Sequence, residues 1–141
     1  MTRKANILKI ADFFAVERNL EEISDTWSDL WVMLYLTQVK PVQLLKIKFD
    51  YAENSRLIFA ATKGIKERHI PLTTGVKEII LSRRKRYPED IFLFQSHSNR
   101  TKATPRPVTL IAFNMALKRA SNGVTTKKLT SKTANCLTLV K

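Results

Sequence analysis

Thr37-Gln38-Val39-Lys40-Pro41-Val42-Gln43-Leu44-Leu45, with Lys46-Ile47-Lys48-Phe49-Asp50 directly after it, is the stretch that decides the fold. Proline has a fixed φ and no amide hydrogen to lose, so Pro41 suits a first helical position and predicts a short helix. Upstream, Trp27, Leu30, Trp31 and Leu34 recur at helical spacing and form a packing stripe. Thr26 is predicted to cap that helix, with Asp29 at the third position as a weakened capping box. Downstream, Ile47-Lys48-Phe49 alternates as a strand does, and residues 51–55 are turn-like. Leu57-Ile58-Phe59-Ala60 reads as a second strand and Arg68-His69-Ile70 as a third, joined through a turn at Lys63-Gly64 and ended by Pro71.

Further out, an amphipathic helix is predicted from about Lys4 to Arg18, with Ile7, Ala11, Phe14 and Ala15 on one stripe. Another, from about Thr73 to Lys85, is predicted to bury Val76, Ile79 and Ile80. It runs out in Arg83-Arg84-Lys85-Arg86 ahead of Pro88, where cations complement a helix C-terminus. Ile91 to Phe94 is a short apolar extension, and Ser96 to Pro107 an exposed, basic loop. Thr109 is placed to cap a last long helix with Phe113, Ala116, Leu117 and Ala120 inward, closed by Asn122-Gly123. Beyond Gly123 no stripe is sustained, which leaves residues 124–141 open between helix and disorder. The fold class expected is α+β, mainly α-helical, with a small three-stranded antiparallel sheet. Residues 1–123 are expected to form the domain, with 124–141 a basic C-terminal segment.

At 141 residues and 44% apolar, the chain is long enough for one domain with a sizeable core. It has no run of 18 apolar residues to cross a membrane and no signal-peptide core. A single cysteine, Cys136, cannot make an internal disulfide, and a reducing cytoplasm, bacterial or phage-derived, is expected. His69 and His97 have no Cys or Glu constellation around them in sequence, so no metal and no cofactor is expected. The net charge of +13 is unevenly spread: residues 1–75 carry 11 basic and 9 acidic side chains, residues 76–141 carry 14 and 3. After Asp90 there is no acid at all. Such asymmetry points to a polyanion, because neutralising phosphates releases counterions. Double-stranded DNA is the expected partner; RNA, anionic lipid and a merely soluble basic surface are the alternatives.

The string Thr37 to Leu45 resembles the Thr-Gly-Leu-Arg-x-x-Glu-Leu-Leu box of the tyrosine recombinases, or phage integrases. Lys63-Gly64-Ile65-Lys66 through His69-Ile70-Pro71-Leu72 is similar to their Lys-Thr-Gly-Lys…Val-Pro-Leu hairpin. Phe92-Leu93-Phe94, Arg106-Pro107-Val108-Thr109 and Ala112-Phe113-Asn114 resemble the family's segment between that hairpin and its next active-site box. The likeness spans roughly residues 26 to 123 and implies the catalytic-domain fold of that family, lacking the C-terminal segment that bears the nucleophile.

In that family a tyrosine attacks a DNA phosphodiester while two arginines and a His/Lys set clamp the phosphate. The demand is a preorganised positive site around a phosphorus gaining negative charge. By the resemblance, the first arginine position is Lys40, which keeps the charge but loses the planar fork. The acid that would orient it is Gln43. Lys63 sits where the hairpin lysine belongs. The His-x-x-Arg box falls on Lys127 with Thr130, or on Lys128 with Ser131. Tyr35, Tyr51 and Tyr87 lie in a core helix, a turn and a helix end, and none matches the nucleophile. The expectation is therefore vestigial catalytic positions at Lys40, Lys63, Lys127 and Lys128, no strand cleavage, and no enzyme. DNA backbone contacts are expected from Lys40, Lys63, Arg83, Arg84, Lys85, Arg86, Arg100, Lys102, Arg106, Lys127, Lys128 and Lys132. The role implied is modulation of recombination or transcription at a mobile element, with a full-length recombinase or self-association as further partners. Two alternatives stay open: a truncated recombinase, or fragment, that needs a partner chain for activity, and a protein-protein module that no longer binds DNA.

Overall fold

A computed structural model describes residues 7–53, 55–98, 104–134 and 136–141. In chain order the elements are β1 (Ile7–Lys9), α1 (Ile10–Ile23), α2 (Asp25–Thr37), α3 (Pro41–Leu45), a single 3-10 turn (Phe49–Tyr51), β2 (Ala52–Glu53), β3 (Arg56–Phe59), β4 (Arg68–Pro71), α4 (Thr74–Arg86), α5 (Leu110–Ser121), α6 (Ser131–Ala134) and β5 (Thr138–Val140). Nearly half of the chain is helical, and the strands form two small sheets rather than the single one expected.

Chain contacts divide these elements into two compact units, one made of residues 1–38 with 110–141 and the other of residues 39–109. In the first, α1 packs on α2 and α5. Its buried face is Phe13, Val16 and Leu20, not the predicted stripe of Ala11, Phe14 and Ala15; Phe14 is half exposed. Ile7, the residue that anchored the predicted stripe, lies outside the helix: Ile7, Leu8 and Lys9 are a strand. β1 pairs in parallel with β5, Ile7 opposite Thr138 and Lys9 opposite Val140, so Thr138–Val140, beyond Gly123, form a strand. Trp31 stacks on Phe13 at 5.0 Å, and its indole N–H donates to the Phe13 carbonyl at 3.2 Å. α2 is capped by Ser24, whose hydroxyl accepts from the Thr26 amide; the predicted cap Thr26 lies inside the helix and is buried. Along α5 the predicted inner face holds: Phe113, Ala116, Leu117 and Ala120 are all buried. Gly123 adopts φ +82, the left-handed conformation that ends such a helix without a Cβ penalty.

In the second unit α3 starts at Pro41 as expected. The Ile47–Phe49 strand does not form: Ile47 is buried, Lys48 makes only an isolated bridge to Phe92, and Phe49 enters the 3-10 turn. The main pairing is the antiparallel β3–β4 ladder, Leu57 opposite Ile70 and Phe59 opposite Arg68, with the two-residue β2 alongside β3. The tip is a two-residue turn, Thr62 and Ile65 exchanging both backbone hydrogen bonds across Lys63 and Gly64 at φ +74. On α4 Val76 and Arg83 are buried, whereas Ile79 and Ile80 are only half-buried. No helix of the described residues is long and apolar enough to cross a membrane.

Candidate nucleic-acid interface

Lys40 precedes Pro41 with extended backbone, and its carbonyl accepts from the Gln43 and Leu44 amides at 2.9 and 3.1 Å. That places its exposed side chain at the head of α3. One turn on, Gln43 is 2% exposed, and its Nε2 donates to the carbonyls of Lys66 at 2.7 Å and Ala60 at 3.3 Å. These two carbonyls flank the hairpin tip, so one side chain fastens α3 to the loop that carries Lys63. An amide does this and a carboxylate cannot, since both partners are acceptors. Gln43 Oε1 is buried with no hydrogen-bond partner among the described residues, and Gln43 lines a cavity of about 130 Å³ with Lys46, Phe59 and Thr62. Lys46 adds a second fastening, its Nζ donating to Thr62 Oγ1 at 2.9 Å. Lys40, Lys63 and Lys66 are exposed around this joint. Sequence reasoning passed over Lys46 and Lys66; their spacing from Lys40 and Lys63 was the available signal, and only the fold shows which elements meet.

The basic run at the end of α4 divides into two pairs. Arg83, counted among the DNA contacts from sequence, is 1% exposed. Its Nε donates to the Leu93 carbonyl at 2.7 Å, and its guanidinium lies over the rings of Tyr87 and Phe94 at 5.2 and 5.3 Å. Burying a guanidinium is tolerable only with such acceptors and ring faces around it. Arg84 is half-buried, 3.7 Å over the Phe49 ring, with Nη1 donating to the Pro88 carbonyl at 2.6 Å. Both side chains are tied to the end of α4, Arg83 buried and Arg84 half-buried. Lys85 and Arg86 are the exposed pair.

Arg106 is exposed, and its carbonyl accepts from Ser96 in a short ladder continued by Val108 to Phe94. Arg100 and Lys102 lie outside the described residues. In the other unit Lys127 donates from Nζ to the Ile7 carbonyl of β1, Lys128 is exposed, and Lys132 is exposed on α6. Thr130 and Thr133 cap α6 reciprocally, at 2.8 and 3.4 Å, and the Ser131 amide donates to Asn114 Oδ1 at 2.8 Å. Lys40 and Lys63 thus belong to one unit, and Lys127, Lys128 and Lys132 to the other.

The histidines lie in polar pairs. His69 Nε2 is 2.6 Å from Glu67 Oε2 and its Nδ1 3.3 Å from Arg56 Nη1. His97 Nε2 is 2.7 Å from the largely buried Asp90, and its ring stacks on Tyr87 at 4.2 Å. Tyr35 packs against Phe13 at 5.3 Å.

This fold, with a short helix fastened to a lysine-tipped hairpin, is shared by solved structures of known proteins. No family model matches the sequence, and no curated protein matches it. Among solved structures, the chain is similar to a lambda integrase (75–356) dimer bound to a COC′ core site, with TM-score 0.75 and 14% identity over 92% of this chain and 49% of that one. A second lambda integrase dimer bound to a COC′ core site has TM-score 0.74 and 13% identity over 91% of this chain and 38% of its own. The chain therefore spans about half, or less, of the structures it matches, and the likeness is one of fold.

Proposed function

We propose that this chain is an integrase-like DNA-binding domain that grips the duplex backbone through exposed cations and does not break strands. The observation that carries the reading is the joint between α3 and the hairpin: exposed Lys40, Lys63 and Lys66 around a side chain, Gln43, that is committed to holding the loop. The +13 charge and the core-site-bound dimers of the same fold support DNA as the polyanion. Lys85, Arg86 and Arg106 are further exposed cations of the same unit, and Lys128 and Lys132 are exposed cations of the other. Contacts of this kind position a protein without reading sequence. Residue types speak against strand chemistry. A lysine replaces the forked arginine, Gln43 donates where an orienting acid would accept, and Thr130 or Ser131 stands in the other arginine position. A role in modulating recombination or transcription at a mobile element suits such a domain, with self-association or a full-length recombinase as partner.

The test is a duplex carrying a nick placed to trap a covalent intermediate. The proposal expects concentration-dependent binding with no protein–DNA adduct surviving denaturation. An adduct would favour the rival reading, a recombinase fragment completed by a partner, and absence of binding would remove DNA altogether.

A further inference from the structure

We infer that the groove beside α5 is a docking site for an acidic, amphipathic segment of a partner protein, a function beyond the DNA contacts above, with which the groove shares Lys128. Ile111 and Met115 lie one turn apart on α5 and are 76% and 68% exposed. They line a groove of about 1350 Å³, larger than the roughly 300–1,000 Å³ of small-molecule pockets, with Trp27 on the same lining. Exposed apolar side chains gathered in a groove mark an interaction surface rather than scattered surface residues. The other feature is charge: Lys118, Arg119 and Lys128 line the same groove, and no acid is found among the described lining residues.

Apolar anchors one helical turn apart, ringed by cations, are complementary to a helix with an apolar stripe and flanking carboxylates. Duplex DNA would satisfy the cations and leave Ile111 and Met115 in water. A second copy of this strongly basic chain would bring further cations to a basic groove. The acidic amphipathic segment answers both features at once.

The experiment uses the whole chain and a fluorescein-labelled peptide of about 18 residues, with Leu at every third and fourth position and Glu and Ala elsewhere. A control peptide has the same composition with the Leu positions shuffled, so that no face forms. The amphipathic peptide is expected to bind at least about tenfold tighter than the control. Ile111→Ser with Met115→Ser is expected to abolish that advantage while leaving duplex DNA affinity unchanged. Both side chains are exposed, so the fold should survive, and Lys118→Glu, at a groove cation not assigned to DNA, provides a second, independent loss. Equal binding of the two peptides, or an advantage that survives the double substitution, overturns the inference. So does an equal loss of DNA affinity in the double variant, which assigns the groove to nucleic acid, and so does a concentration-dependent dimer that the peptide cannot dissociate.

Discussion

Gln43→Glu restores the residue type that the integrase-like box carries, yet the structure predicts that it damages the protein. The side chain is 2% exposed and its Nε2 is the donor to both the Lys66 and the Ala60 carbonyl. A carboxylate donates to neither carbonyl and leaves both as unmet buried acceptors, each costing about 1–3 kcal/mol. The longer Ala60 contact is the weaker, so the loss expected at pH 7 is about 3 kcal/mol. Burial should hold the new carboxyl above the ordinary Glu pKa of about 4.3. The folded state then binds more protons than the unfolded one between those two values, so the penalty shrinks as pH falls and grows as it rises. Urea unfolding followed by circular dichroism at pH 7 and pH 5 measures this. Gln43→Met, which removes the donors without adding charge, should lose about 2 kcal/mol with no pH dependence. A Glu variant as stable as the parent at pH 7, or one that gains stability with rising pH, would refute the reasoning.

Arg83→Met should destabilise by about 2–3 kcal/mol through loss of a charge-assisted bond and two ring contacts, read as a lower urea midpoint; an unchanged midpoint would return Arg83 to the solvent. Gln38 ends α2 at φ +58, a left-handed conformation that costs a non-glycine residue about 1–2 kcal/mol. Gln38→Gly should therefore raise stability by about 0.5–1 kcal/mol after glycine's own entropy cost, and a lower thermal midpoint would contradict this. Glu17 is held above the usual carboxylate range, first by burial and then by Glu21 and Asp29, with Arg18 opposing. Because its folded pKa is raised, Glu17→Gln should stabilise at pH 7, with the advantage disappearing as pH falls below the ordinary Glu value; a constant difference across that range would show no linkage.

Much of the architecture could be read because it depends on short-range chemistry. Pro41 starts α3, the inward residues of α5 follow its period, and Lys63-Gly64 makes the turn. The parts that escaped the sequence depend on distant pairing. β1 is a strand because β5, more than a hundred residues away, lies beside it, and α1 begins only after it. Ile47 alternates with its neighbours, but the segment leaves the sheet for a 3-10 turn. In the candidate site, Lys40 and Lys63 could be picked by resemblance, whereas the role of Gln43 needed its two carbonyl partners to be seen. The contacts of Arg83 and Arg84 were not legible, because a basic run gives no hint that aromatic rings and a carbonyl await half of it.

Backbone gripping by lysines is tested most directly by the salt dependence of duplex affinity. With about five phosphate contacts the logarithmic slope should be near about −4.5, so affinity should fall about 500-fold between roughly 50 and 200 mM salt. Lys40→Ala with Lys63→Ala should weaken binding evenly across unrelated sequences and make the slope shallower by about 2. A nearly flat salt response, or a double variant with the parent's slope, would contradict the account.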